Sequence, residues 1–202
     1  MQLIGMLDSP YVRRVAISLR LLDIDYQHLP LSVFRNMPEF RDINPVLKVP
    51  TLVCDDGELL MDSSLILDYL ERLVPPERRL TPEALPARQH CLHGIGLALA
   101  AMEKAVQAFY ECQLRPAEAR HAPWLARVAE QLNAACLQME ALLQRQPPQL
   151  TQLDQATLSI AVAWRFIAER ATAQVRLDDY PALCAWSQQA ETHPAFLACP
   201  FE

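Results

Sequence analysis

The chain has 202 residues, 51% of them apolar and 21% charged, which is ample for a packed core and excludes an intrinsically disordered chain. The formal charge of −6 is spread evenly, with nine basic and twelve acidic residues in 1–80 and the same numbers beyond. With no basic stripe, nucleic acid is not expected as a partner. The longest apolar stretch, Gly94 to Met102, is stopped by Glu103 and Lys104, far short of a bilayer span. No basic stretch precedes the apolar run in MQLIGMLDSP, so no secretory signal is expected, and a cytoplasmic protein is the default reading.

Residues 2–7 read as a short buried strand, followed by Asp8-Ser9-Pro10. Val12, Val15, Ala16, Leu19 and Leu22 then recur at helical spacing, with Ser9 as N-cap and Pro10 at the first helical position. Residues 25–31 make a second strand, and the right-handed crossover implies parallel pairing with the first. A weakly helical piece, Val33 to Ile43, ends at Asn44-Pro45. Pro50 to Cys54, the turn Asp55-Asp56-Gly57, and Glu58 to Met61 form a hairpin. Asp62-Ser63-Ser64 offers N-cap residues for a helix whose face is Ile66, Tyr69, Leu70 and Leu73.

Four prolines between Val74 and Pro86 mark a linker, and everything beyond reads helical. The division is 1–76, a linker 77–86, and an all-helical part 87–202. Helical segments cover 87–113 and 123–145, and Thr151-Gln152-Leu153-Asp154 fits a capping box opening a third. A last helix runs from about Pro181 to Glu191.

No C-x-x-C pair or zinc spacing occurs among the six cysteines, so no metal is expected. Cys91, Cys112, Cys136 and Cys184 fall in helical patterns, where a thiol behaves as a small hydrophobe. The sole Gly-x-Gly, Gly94-Ile95-Gly96, lacks its third glycine because Leu99 stands there, which excludes a dinucleotide cradle.

Taken in order, these residues resemble the glutathione transferase superfamily over the whole chain, and within it the bacterial, serine-type, theta-like members. Ser9-Pro10-Tyr11-Val12-Arg13-Arg14 looks like the strand-to-helix turn of the serine-type members, and Asn44-Pro45-Val46-Leu47-Lys48-Val49-Pro50-Thr51-Leu52 is similar to the segment whose proline is cis. Asp62-Ser63-Ser64-Leu65-Ile66 stands where the family commonly has Glu-Ser, a small residue and Ile. Thr151 to Asp154 and His193-Pro194-Ala195-Phe196 match two patterns of the helical domain. The fold implied is a thioredoxin-like α/β domain, β-α-β-α-β-β-α, followed by an all-α C-terminal domain.

The resemblance implies glutathione as co-substrate, with the catalytic role on Ser9. Lowering a thiol pKa by about two units needs roughly 2.7 kcal/mol, within reach of a hydroxyl donor at a helix start. Ser9 is equally well explained as a plain N-cap. Val49 would offer its backbone to the cysteinyl backbone of the ligand, or simply precede an ordinary strand-opening proline. Asp62 and Ser63 would take the γ-glutamyl amine and carboxylate, or serve only as caps. Asp in place of Glu shortens the reach by one methylene. Lys48 would hold the glycyl carboxylate, or be a solvated surface lysine. Met102, Phe109, Tyr110 and Trp164 have the bulk for a second-substrate pocket and for a helical core alike. The activity implied is transfer of the thiolate to a small hydrophobic electrophile, as in detoxification, or to a peroxide. A non-catalytic, transferase-like binding protein is the alternative, and a homodimer is the implied assembly.

Overall fold

The computed structural model describes residues 1–202, which divide into two compact units, Met1–Leu80 with His193–Glu202, and Thr81–Thr192. The first unit contains β1 (Gln2–Ile4), α1 (Pro10–Leu21), β2 (Gln27–Leu29), α2 (Met37–Ile43), β3 (Thr51–Val53), β4 (Leu59–Leu60) and α3 (Ser63–Arg72). This is a thioredoxin-like β-α-β-α-β-β-α domain. Its sheet order is β2-β1-β3-β4. β1 and β2 run parallel, with Leu3 opposite His28, while β3 is antiparallel to β1, with Leu3 opposite Leu52. β4 completes the hairpin around Asp55-Asp56-Gly57, where Gly57 takes φ +88° and the Asp56 carboxylate accepts from Glu58 N–H at 3.0 Å.

β1 is shorter than residues 2–7 because Gly5 leaves the strand at φ +136°. A Cβ there would lie 2.6 Å from Val12 Cγ2 and 3.2 Å from Val49 Cγ1. Glycine therefore brings the end of β1 against both the first turn of α1 and the loop before β3. α1 and α3 pack together, and Leu3, Ile4, Val15, Leu19, Leu52, Ile66 and Leu70 are sealed in the core. Burying each such side chain contributes about 1.5–3 kcal/mol.

The last ten residues cluster with this unit rather than with the helices that the sequence groups them with. A short helix, α8 (Pro194–Leu197), packs on α1. The buried Arg13 donates from Nε to Cys199 O at 2.8 Å, and its guanidinium lies 5.7 Å from the Phe196 ring centroid.

The second unit is all-helical: α4 (Leu85–Gln113), α5 (Ala122–Arg145), α6 (Gln155–Arg170) and α7 (Pro181–Ala190). α4 packs on both α5 and α6. A Cβ on Gly94 would lie 2.9 Å from Ala156 Cβ, so that half of the Gly-Ile-Gly pair serves close helix packing. The capping box of α6 sits three residues later than the sequence reading puts it. Thr151 lies in a preceding 3-10 turn, and Asp154 is the N-cap. Asp154 Oδ1 accepts from Thr157 N–H at 2.8 Å, while Thr157 Oγ1 accepts from Asp154 N–H at 3.2 Å. No helix is long and apolar enough to cross a membrane.

Candidate functional site

Ser9 is the N-cap of α1, with extended φ −72° and ψ 122°, and Pro10 occupies the first helical position. Its Oγ accepts from Val12 N–H at 3.4 Å, and its carbonyl accepts from Arg13 N–H at 2.9 Å. A serine hydroxyl has one proton and two lone pairs, and the cap engages only a lone pair. Capping and donation to a ligand are therefore compatible roles for the half-exposed Ser9.

The loop before β3 is braced by two side chains that the sequence reading left without a role. Buried Asn44 donates from Nδ2 to Thr51 Oγ1 at 2.8 Å, and Thr51 Oγ1 donates to Lys48 O at 2.6 Å. Asn44 Oδ1 accepts from Val46 N–H at 3.0 Å. The Val49–Pro50 bond is cis, as the resemblance implies. Val49 makes no hydrogen bond inside the chain through its own N–H or C=O. Its side chain faces Gly5, so the loop lies beside the end of β1. Lys48 is exposed, and no contact ties it to the other candidate residues.

Asp62 is the N-cap of α3, its Oδ1 accepting from Ser64 N–H at 2.8 Å. Asp62 is exposed, whereas Ser63 is completely buried. Behind them lies Arg14 of α1, whose Nη1 is 3.4 Å from both Ser63 Oγ and Ser64 Oγ. Burial pulls the Arg14 pKa down to about 10, with Asp62 and Tyr11 opposing the shift through their charge. The sequence offered no signal for it, because helical spacing puts Arg14 off the stripe of Val12, Val15, Ala16 and Leu19.

No group of His, Cys, Asp or Glu is placed to hold a metal ion. Burial pushes the thiols of Cys54, Cys184 and Cys199 up, and that of Cys136 up to about 12. These four are expected to react with a maleimide at neutral pH far more slowly than free cysteine, a time course read by mass spectrometry. Of the four bulky residues, Met102 and Trp164 are buried in the second unit, where Trp164 packs edge-on to Tyr180 at 5.5 Å. Tyr110 is partly exposed.

Residues 3–78 match the family model of the glutathione S-transferase N-terminal domain. A glutathione transferase family member from Pseudomonas fluorescens Pf-5, solved with bound glutathione, superposes with a TM-score of 0.83. It is 30% identical, and the match covers 98% of this chain and 97% of that one. The chain belongs to the glutathione S-transferase superfamily. An uncharacterised GST-like protein of Escherichia coli K12, YibF, is 29% identical over 91% of this chain and 90% of its own. A maleylacetoacetate isomerase of Pseudomonas aeruginosa is 34% identical over 108 residues, 51% of this chain and 45% of that protein.

Proposed function

We propose that the chain is a serine-type glutathione transferase that activates the thiol of glutathione for attack on a small hydrophobic electrophile. In this reading the Ser9 hydroxyl donates to the sulfur and favours the thiolate, helped by the positive end of α1. Val49 pairs its free N–H and C=O with the cysteinyl backbone, in the manner of an added strand. Asp62 meets the γ-glutamyl ammonium, and Ser63 with the α3 N-terminus meets the carboxylate beside it. Lys48 closes on the glycyl carboxylate.

The observation that carries the reading is the Ser9 turn: a hydroxyl with its proton uncommitted, at the start of a helix whose first turn and the unbonded backbone of Val49 both flank Gly5 at the end of β1. Titration calorimetry with glutathione, followed by conjugation of a chloronitrobenzene, tests it. Binding together with turnover is expected. Silence at millimolar glutathione would instead favour a non-catalytic, transferase-like binding protein. The likeness to a maleylacetoacetate isomerase favours a second chemistry at the same thiolate, reversible addition to an activated double bond, read by isomerisation of a maleyl substrate.

A homodimer belongs to the same proposal. Leu65 and Tyr69 on α3 and Leu73 at its C-cap follow one another at four-residue spacing and are 64%, 37% and 49% exposed. An aligned apolar stripe of this kind suits burial against a second copy. Sedimentation at micromolar concentration is expected to give twice 22.9 kDa.

A further inference from the structure

Arg14 is a buried cation whose hydrogen bonds end on two neutral hydroxyls, and its Nε has no partner at all. Only 1% of the residue is exposed. A guanidinium carries donors and no acceptor, so Ser63 Oγ and Ser64 Oγ accept from it. Each hydroxyl keeps one proton that Arg14 does not use, with Ser64 partly exposed and Ser63 buried beneath the first turn of α3. Ser64 N–H is already engaged by Asp62, so the hydroxyl protons join the unpartnered N–H groups of Ser63 and Leu65 as the donors of that turn.

Charge sorts the approaching groups. The buried guanidinium and the α3 N-terminus make the inner side positive, which favours a carboxylate and repels an ammonium. Exposed Asp62 makes the outer side negative and suits an ammonium. The pattern matches a zwitterionic α-amino-acid end with its carboxylate inward. The geometry points to Arg14 as a positioning residue that, through Ser63 and Ser64, makes this helix end select a ligand carrying a free α-carboxylate. The assignment rests on the glutathione reading and names a residue that acts behind the serines. Burial holds the guanidinium near a pKa of about 10, so it stays charged at neutral pH.

The test compares two ligands by calorimetry: glutathione and γ-aminobutyryl-cysteinylglycine, which is glutathione without its α-carboxylate. Wild type is expected to prefer glutathione by about tenfold or more, the worth of one charge-assisted hydrogen bond. Arg14→Met, similar in length but uncharged, is expected to erase the preference by weakening glutathione alone. Arg14→Lys keeps the charge with one nitrogen for two hydroxyls, and is expected to retain a preference smaller by about threefold. It also carries the test should Arg14→Met not fold.

Equal weakening of both ligands, or an unchanged preference in the variants, overturns the role of Arg14 and leaves glutathione binding standing. Failure of wild type to bind either ligand overturns the glutathione reading, and the Arg14 assignment with it.

Discussion

Ser9→Ala is expected to raise the pKa of the bound glutathione thiol by about two units, back toward the free value of about 8.5. The hydroxyl proton is the part of Ser9 that the α1 cap does not use, because Oγ serves Val12 N–H only as an acceptor at 3.4 Å. Losing the cap as well costs about 1 kcal/mol, or roughly 2–4 °C of melting temperature in a chain of this size. The variant should therefore remain folded. The effect on rate depends on pH in a definite direction. A raised thiol pKa removes thiolate below the new pKa, so the loss is largest in acid and shrinks as pH rises. At pH 6 the thiolate fraction falls by about 75-fold, while the more basic sulfur is intrinsically more nucleophilic by roughly eightfold. The net expectation is about a tenfold slower conjugation at pH 6, fading to nothing between pH 7 and 8. Thiolate absorbance of the bound tripeptide, followed across pH, gives the shift directly. A loss that is the same at every pH would mean that Ser9 matters for geometry and not for ionisation. An unmoved titration would mean that another donor faces the sulfur.

Much of the first unit was legible because its signals are local. Ser9-Pro10 sets the start of α1 within two residues, Asp55-Asp56-Gly57 sets the hairpin, and Asp62 caps α3 through a bond to its second neighbour. The α6 start was misread for a related reason. Thr151/Asp154 and Asp154/Thr157 both have the spacing of a capping box, and sequence alone cannot say which pair closes. Here Asp154 closes it, with Thr157 answering through both its N–H and its hydroxyl. Features that depend on distant partners stayed hidden. Arg13 meets Cys199 across most of the chain, which is why the tail groups with the first unit. Arg14 reads as one more surface cation until α3 is seen to cover it, and Asn44 reads as turn grammar until Thr51 is seen beside it. Lys48 remains an exposed lysine on which a single chain without ligand puts no constraint.

Glu140→Ala is expected to be strongly destabilising although it removes a charged side chain and not an apolar one. α7 begins at Pro181, which has no N–H, and the side chain of its N-cap Tyr180 does not cap the helix. The next two donors are instead satisfied from α5. Glu140 Oε1 accepts from Ala182 N–H and Oε2 from Leu183 N–H, each at 2.9 Å, while Gln144 Nε2 donates to Oε1 at 2.8 Å. Glu140 is 4% exposed, so water is poorly placed to replace its carboxylate. Charge-assisted bonds of this kind contribute about 1.5–3 kcal/mol each, and removing one partner strands buried donors beside a cavity. Their joint loss is expected to cost about 3–4 kcal/mol, a large share of the 5–15 kcal/mol typical of a folded domain. Urea unfolding with an unchanged slope would report it. Glu140→Gln separates charge from shape: its carbonyl still accepts from one N–H, but its amide opposes the other, so about half the loss is expected. Glutathione affinity at temperatures where the variants stay folded should not change, because no candidate site residue touches Glu140. A cost below about 1 kcal/mol for Glu140→Ala would show that solvent reaches the α7 terminus and that the cap is dispensable.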